Sequence, residues 1–264
     1  MIKMFVTDID GTLLPTGGSV SAKNVAAVQA MINAGVKVIL ATGRMYSAAL
    51  KIAEQLKVPV PIIAYNGALI KSSTGEVLHT HYMDDELVLK IIDFFAEHGC
   101  HIQSYSNDIL YVPARNSGVE YYEEVIHVKA VTVGWNGLRE RAKNVTKLLS
   151  ISDDNDELVD SMNAIRKIFG SQVEVTRSNI KFAEFMASGV TKAGAIKILA
   201  DKFGINNDEI LAIGDSENDL PMLTSVGYGV AMGNALPSIK EACKYITDTC
   251  ENDGFAKAVY DYVL

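Results

Sequence analysis

The feature that most constrains this chain is an apolar segment near its start that carries two carboxylates and then turns at a glycine. The segment from Met4 to Leu14 reads as a strand that runs into Asp8-Ile9-Asp10-Gly11-Thr12. Because side chains alternate along a strand, Asp8 and Asp10 are expected on the same face of an extended segment. Two like charges this close are costly unless a cation neutralises them. The pattern favours a divalent metal site with one carboxylate free to attack an electrophile; the alternative is an Asp-rich turn that ends a strand.

Three more polar motifs follow in order along the chain: Ala41-Thr42-Gly43-Arg44, Gly189-Val190-Thr191-Lys192 and Gly214-Asp215-Ser216-Glu217-Asn218-Asp219. With the first motif, they resemble the four motifs of the haloacid dehalogenase superfamily. Two later segments, Ala231-Met232-Gly233-Asn234-Ala235 and Asn252-Asp253-Gly254-Phe255, are similar to the closing segments of its Cof-type branch, subfamily IIB. The resemblance covers both ends of the chain by motif, and the middle only by length and placement.

The order of the predicted elements indicates an α/β fold. Near the start, apolar strands alternate with amphipathic helices, the first of which is expected to begin after Ser21 as its N-cap and to stop at Gly35. Such alternation is typical of a doubly wound parallel sheet. From Asp84 onwards, runs of strands between two helices describe a separate α+β unit.

The resemblance implies how these elements divide into domains. Residues 1–83 and 187–264 are expected to form a Rossmann-like catalytic core, and residues 84–186 an inserted α/β cap of type C2B.

Two local sequence patterns give further structural predictions. The Gly-rich loop 14–18 is expected to be mobile, and the acidic run 153–157 is expected to cap and favourably charge the start of a helix over 154–169.

The chemistry is expected where the strands end, because ligands of doubly wound folds sit outside the carboxyl ends of the strands. Asp8 is the predicted nucleophile, since a carboxylate is already ionised at neutral pH. Asp10 is the predicted general acid and then base. The resemblance implies a Mg²⁺ site formed by Asp8, the backbone carbonyl of Asp10, and Asp215, with Asp219 as a direct or water-mediated ligand.

A second group of residues is predicted to bind the phosphate and the substrate. Thr42 offers a hydroxyl, Gly43 an unobstructed backbone amide, and Lys192 a compact positive charge. Arg44 has two open roles, either binding substrate or pairing with an acidic residue of the core. The remaining candidates are polar or glycine positions near the expected mouth of the site: Gly11, Thr12, Asn66, Asn218 and Asn234.

Composition excludes several classes of partner. The chain has 24 Lys plus Arg against 32 Asp plus Glu, a net charge of −8, so no global basic field exists to hold nucleic acid or an anionic membrane. Its three cysteines, Cys100, Cys243 and Cys250, lack CxxC spacing, which favours reduced thiols over a disulfide framework or a zinc site. No stretch approaches the roughly 20 apolar residues that span a bilayer. A cytoplasmic protein, monomeric or weakly homodimeric, is the expectation.

These observations favour one function and leave two others open. The first is a Mg²⁺-dependent phosphatase that hydrolyses small phosphorylated metabolites, with sugar phosphates as the favoured class, through an aspartyl-phosphate intermediate. The second is a phosphosugar mutase that uses the same aspartate. The third is a sensor that binds a phosphorylated metabolite without turning it over.

Overall fold

The computed structural model describes residues 1–15 and 18–264, and its contacts divide the chain into two compact units. Unit 1 comprises Met1–His79 and Thr191–Leu264, and unit 2 comprises Thr80–Val190. Each boundary therefore lies four residues outside the predicted limits of the insertion. Thr16 and Gly17, at the centre of the loop predicted to be mobile, lie outside the described residues.

The strands are β1 (Met4–Thr7), β2 (Lys37–Ala41), β3 (Pro61–Ala64), β4 (Leu69–Ser72), β5 (Val77–Thr80), β6 (Gln103–Ser106), β7 (Ile109–Val112), β8 (Val131–Thr132), β9 (Val145–Ile151), β10 (Val173–Thr176), β11 (Phe182–Ala187), β12 (Ile210–Gly214), β13 (Tyr228–Ala231) and β14 (Tyr245–Ile246). The helices are α1 (Ala22–Asn33), α2 (Tyr46–Gln55), α3 (Asp85–Glu97), α4 (Ser117–Ile126), α5 (Gly134–Glu140), α6 (Asn155–Phe169), α7 (Lys192–Phe203), α8 (Leu220–Ser225), α9 (Pro237–Ala242) and α10 (Gly254–Tyr262). None of the helices in the described part of the chain is both long and apolar enough to cross a bilayer.

The sheet of unit 1 has the strand order β14-β13-β12-β1-β2-β3-β4-β5. The pairs from β14 to β3 are parallel, and β4 joins β3 in the antiparallel direction. The early strands extend the sheet on one side of β1, and the late strands extend it on the other. The strand order therefore reverses between β1 and β12, which is where a doubly wound sheet opens a binding crevice. The predicted α/β fold with a parallel core is confirmed.

Local sequence explains why the helices of unit 1 begin and pack as they do. Ser21 caps α1 by accepting a hydrogen bond from the amide of Asn24, as predicted. The residue before α7, Thr191, does the same for the amide of Gly194. Helix α1 packs against α10, and Phe255 of α10 meets Phe5 of β1 edge to face, with ring centroids 5.5 Å apart. These contacts help to hold β1 and α7 in place. The first motif follows the last residue of β1, and the third motif ends at the first residue of α7.

Unit 2 contains a second sheet with the order β10-β11-β9-β6-β7-β8, antiparallel except for the pair β7 and β8. Helices α3 and α6 both contact it, and Phe95 of α3 lies against Phe185 of β11. Asp154 caps α6 by accepting from two backbone amides, which confirms the role predicted for the acidic run at 153–157. The assignment of this unit as a cap of type C2B stays a prediction.

Several short elements were not predicted from the sequence. They are β8 and α5 in unit 2, and β13, β14, α8 and α9 in unit 1. Strands of two to four residues show too little alternation to reveal a period of two, and α5 begins at a glycine and contains another. Tertiary pairing decides the structure of such segments.

Candidate active site

Four distant segments converge at the carboxyl ends of the central strands of unit 1. Asp8 follows β1, Thr42 follows β2, Asp215 follows β12, and Lys192 opens α7. The ammonium of Lys192 donates hydrogen bonds to an oxygen of Asp8 and to an oxygen of Asp219, both at 2.6 Å. One oxygen from each of Asp8, Asp215 and Asp219 lies within 4.8 Å of the other two. The sequence therefore identified groups that the fold brings together.

Lys192 is completely buried, and its charge is held between two carboxylates. Burial lowers the pKa of its ammonium, but Asp219 and Asp8 raise it by more, so that the pKa lies above its ordinary value. The lysine is therefore a fixed cation at neutral pH. It partly offsets the negative charge of the cluster without removing it.

Asp219 organises the fourth motif. One of its oxygens accepts hydrogen bonds from the amides of Asp215 and Ser216, at 2.9 and 3.0 Å, and its other oxygen accepts from Lys192. A Cβ on Gly214 would lie 2.6 Å from the Asp219 carboxyl carbon, so only glycine allows this approach. The prediction that Asp215 and Asp219 share one side of a helical turn is replaced by a different geometry. Asp219 ends a short 3₁₀ turn and folds its carboxylate back onto the backbone of Asp215.

Asp215 is held by hydroxyl groups on either side. Thr12 donates to one of its oxygens at 2.8 Å, and Ser216 donates to the other at 3.3 Å. Burial and the nearby charge of Asp219 nevertheless raise the pKa of Asp215 to about 7. Burial also raises the pKa of Asp8 well above its usual value, and Asp219, Asp215 and Asp10 add to this against the opposing effect of Lys192. The cluster carries more negative charge than its surroundings neutralise.

The donor set of this cluster fits Mg²⁺, which prefers hard oxygen ligands and binds few protein groups. The oxygens of Asp219 already accept from two backbone amides and from the Lys192 ammonium, whereas those of Asp215 accept from two hydroxyl groups, so Asp8 and Asp215 are the carboxylates better disposed to bind a cation directly. A divalent cation held by Asp8 and Asp215 would stabilise their ionised forms against the burial and the nearby charge of Asp219 that raise their pKa values.

The loop after Asp10 is positioned by the C-terminal part of the chain. Gly11 has a φ of +77°, and a Cβ there would lie 2.5 Å from an oxygen of Asp215. The side chain of Asn234 donates to the carbonyl of Gly11 and accepts from the amide of Cys250, both at 2.8 Å. Gly11, Thr12 and Asn234, predicted as phosphate or substrate ligands, thus also hold the loop against the fourth motif.

Asp10 and Arg44 form a bidentate ion pair. The Nε and Nη2 atoms of Arg44 donate to the two oxygens of Asp10, each at 2.6 Å. The arginine side chain is buried, and the Asp10 side chain is 30 % exposed. Of the two roles left open for Arg44, the structure shows the pairing with an acidic residue. This geometry fixes the plane of the Asp10 carboxylate.

The second motif is tied to an unusual turn after β3. The amide of Tyr65 donates to the carbonyl of Arg44 at 3.0 Å, and the amide of Asn66 donates to the carbonyl of Thr42 at 2.9 Å. Tyr65 and Asn66 are both buried and both left-handed, with φ values of 51° and 56°. Thr42 itself is buried, and its hydroxyl accepts from the amide of Arg44 at 3.1 Å.

The same turn reaches the third and fourth motifs. A Cβ on Gly67 would lie 2.5 Å from the carbonyl oxygen of Thr191, the N-cap of α7. The amide nitrogen of Asn218 donates to the side-chain oxygen of Asn66 at 2.9 Å. The sequence placed Asn66 and Asn218 near the site but gave no sign that they contact each other. The left-handed Tyr65 was missed altogether, because no sequence rule predicts a tyrosine in that conformation.

Comparison with known proteins agrees with this geometry. The sequence profile of the haloacid dehalogenase-like hydrolases matches residues 5–259. A protein of Bacillus subtilis strain 168, named 5-amino-6-(5-phospho-D-ribitylamino)uracil phosphatase YcsE, is 30 % identical over 100 % of this chain and 96 % of its own length.

Two solved structures have a similar fold. TM0651 from Thermotoga maritima has a TM-score of 0.85 and 29 % identity, covering 100 % of this chain and 98 % of its own. The subclass IIB sugar phosphatase BT4131 also has a TM-score of 0.85, with 26 % identity and 98 % of each chain covered.

Proposed function

The chain belongs to the haloacid dehalogenase-like hydrolases, and we propose that it is a Mg²⁺-dependent phosphatase of small phosphorylated metabolites. Sugar phosphates are the favoured class, because a similar structure is that of a sugar phosphatase. The observation that carries the proposal is the buried Lys192 ammonium bridging Asp8 and Asp219 beside Asp215. A structural core gains nothing from so many charges, whereas phosphoryl transfer depends on them.

In the proposed reaction, Asp8 and Asp10 divide the chemistry. An oxygen of Asp8 would form a bond to phosphorus as the ester oxygen leaves, and Asp10, after binding a proton from solvent, would give that proton to the leaving oxygen. Asp10 then takes a proton from water as the water oxygen attacks phosphorus, which releases phosphate and regenerates Asp8. Arg44 would keep the Asp10 carboxylate in the plane required for both transfers.

The remaining residues would bind and orient. Mg²⁺, when bound by Asp8, Asp215 and the carbonyl of Asp10, would neutralise charge on the phosphate oxygens. Lys192 would add a second fixed positive charge, and Thr42 and Gly43 would offer a hydroxyl and an amide to the phosphate. Asp219 would hold Lys192 and the Asp215 backbone in place, with the direct ligand role going to Asp215.

Release of inorganic phosphate tests the proposal. The substrates are 4-nitrophenyl phosphate, a panel of sugar phosphates, and 5-amino-6-(5-phospho-D-ribitylamino)uracil, which is the compound in the name of the Bacillus subtilis relative. We expect turnover with Mg²⁺, loss of turnover in excess EDTA, and a decrease of at least about 10³-fold in Asp8→Asn, in line with removal of a nucleophile that acts in a catalytic unit.

Two other outcomes would reject the proposal. Interconversion of sugar-phosphate isomers without phosphate release would identify a mutase. Binding of phosphorylated metabolites without turnover of any substrate in the panel would identify a sensor. Retained phosphate release by a folded Asp8→Asn variant would exclude Asp8 as the nucleophile.

A further inference from the structure

The backbone of the turn at Tyr65–Gly67 connects the second and third motifs, which are far apart in the sequence. Its two backbone amides bind the carbonyls of Arg44 and Thr42, and its glycine lies against the carbonyl of Thr191. Left-handed backbone at a non-glycine residue costs roughly 1–2 kcal/mol, and such strain persists only where the surroundings impose it. Two consecutive residues in that conformation, both buried, indicate that the position of the turn matters more than its local stability.

The side chain of Asn66 extends this connection to the fourth motif. Its oxygen accepts a hydrogen bond from the Asn218 amide nitrogen at 2.9 Å, and both residues are at least 94 % buried. The side-chain nitrogen of Asn218 donates this hydrogen bond, and its Oδ1 atom is the other polar atom of the same amide. That oxygen is buried and has no hydrogen-bond partner among residues 1–15 and 18–264.

A buried acceptor without a partner costs about 1–3 kcal/mol, so it is expected to receive a hydrogen bond when the site is in use. A fully ionised phosphate carries no proton and therefore cannot donate a hydrogen bond to the Asn218 Oδ1 atom. A hydroxyl group or a water molecule can donate one. Asn218 directly precedes Asp219 in the fourth motif, and its side chain is bonded to Asn66, whose backbone amide binds the carbonyl of Thr42. The open acceptor therefore belongs to a side chain that joins the second and fourth motifs.

We propose that Asn66 is a positioning residue that holds the Asn218 amide with its oxygen directed to an O–H donor of the reaction. The donor is a hydroxyl of the substrate's organic part or a water molecule in the site. This inference rests on the proposed phosphatase function. In this proposal Asn218 binds an O–H group instead of the phosphate that the sequence motif suggests. Asn66 acts by orienting Asn218 and does not bind the substrate itself.

The test replaces Asn66 by glycine, because glycine adopts a φ of +56° without strain and removes only the amide. Asn144→Gly is the matched control, since Asn144 is also left-handed, with a φ of 56°, but is exposed and lies in unit 2. Wild type and variants are assayed with Mg²⁺ on 4-nitrophenyl phosphate, which has no hydroxyl, and on glucose 6-phosphate or the best sugar phosphate of the panel. Thermal unfolding confirms that each variant is folded.

We expect Asn66→Gly to lower kcat/KM by about 3- to 10-fold, the value of one hydrogen bond, while Asn144→Gly stays at the wild-type level. A loss confined to KM for the sugar phosphate identifies a substrate hydroxyl as the donor. An equal loss of kcat on both substrates identifies water. Asn218→Ala should reproduce the effect, and the double variant should lose no more than Asn218→Ala alone, because the two residues act in series.

Two results would overturn the inference alone, leaving the phosphatase function intact. One is wild-type kinetics of Asn66→Gly on both substrates, and the other is losses that multiply in the double variant. If Asn66→Gly does not fold, wild-type kinetics of Asn218→Ala have the same meaning. Absence of turnover by the wild-type protein would reject the proposed function, and this inference with it.

Discussion

At the scale of single residues, the site is defined by charges that have been removed from water and matched to one another. Lys192 is the clearest case, because its ammonium has no exposure and two carboxylate partners. The motif Gly-Val-Thr-Lys predicted a phosphate ligand, and sequence alone gave no means of predicting that the lysine also joins the first motif to the fourth. Contacts between residues 184 positions apart depend on the fold.

Lys192→Met should destabilise the protein by about 3–5 kcal/mol, because it leaves Asp8 and Asp219 buried without their cation. Lys197→Met is the matched control, since Lys197 lies on the same helix and is exposed in a pair with Asp201. Urea unfolding measures both. A Lys192→Met variant within about 1 kcal/mol of wild type, the range of a surface pair, would contradict this account.

Arg44→Lys should lower kcat about tenfold, which corresponds to ~1.4 kcal/mol, while the fold is retained. Lysine keeps the charge but cannot make two parallel hydrogen bonds, so the plane of the Asp10 carboxylate is no longer fixed. Arg139→Lys, which alters an ion pair with Asp93 in unit 2, is the control and should leave kcat unchanged. Equal kcat values for the two variants would show that Asp10 needs no orientation by Arg44.

At the scale of secondary structure, the elements with strong local signals were predicted and the short ones were not. The caps Ser21 and Asp154 and the apolar stripes of α1, α3 and α6 are encoded in neighbouring residues. The sequence predicts an α-helical turn where the structure has a 3₁₀ turn that ends at Asp219, because the four-residue spacing of Asp215 and Asp219 is that of one face of an α-helix. Its actual shape is set by hydrogen bonds from the backbone to Asp219 itself.

Helix α4 shows how one buried carboxylate holds an element in place. Glu123 accepts hydrogen bonds from Arg115, from Lys129 and from the amide of Ala130. These bonds, led by the one from Arg115, lower the pKa of Glu123 to about 2. The ionised side chain therefore stabilises unit 2 by connecting α4 to the residues on either side of it.

Glu123→Gln should lower the free energy of unfolding by about 1–3 kcal/mol at pH 7. Because the folded-state pKa is depressed, this stabilisation is present above the unfolded pKa of about 4.3 and is lost as pH falls towards 2. The difference between wild type and variant should therefore narrow steadily below pH 4.5. Glu124→Gln, an exposed neighbour, is the control, and urea unfolding at several pH values is the measurement. A difference that does not change down to pH 3 would refute the pairing.

At the scale of the whole molecule, the charged cluster couples stability to pH and to metal. Burial and the charge of Asp219 raise the pKa of Asp215 to about 7, so without a cation this carboxyl keeps a proton in the folded protein that it loses in the unfolded chain between about pH 4 and 7. The contribution of Asp215 to stability therefore falls as pH rises through that range. A bound Mg²⁺ would oppose this fall, because it binds the ionised carboxylates.

The melting temperature in EDTA should therefore decrease from pH 5.5 to pH 8, and the increase caused by millimolar Mg²⁺ should be larger at pH 8. Differential scanning calorimetry measures both melting-temperature changes, and Asp215→Asn, which cannot ionise, should reduce the pH dependence to the part that Asp8 contributes. If Mg²⁺ raised the melting temperature by the same amount at the two pH values, the cation would not bind at these carboxylates.

The order of strands in unit 1 has a consequence for the making of the protein. Strand β1 lies between β2 and β12, and its polar loop is held by Asn234, which itself is held by the amide of Cys250. During synthesis, Asp8 emerges well before the segments that hold it, because its partner Lys192 lies 184 residues further along the chain. The nascent chain therefore carries Asp8 and Asp10 through the intervening part of synthesis without their later partners, and the charged cluster can form only after those late segments have been made.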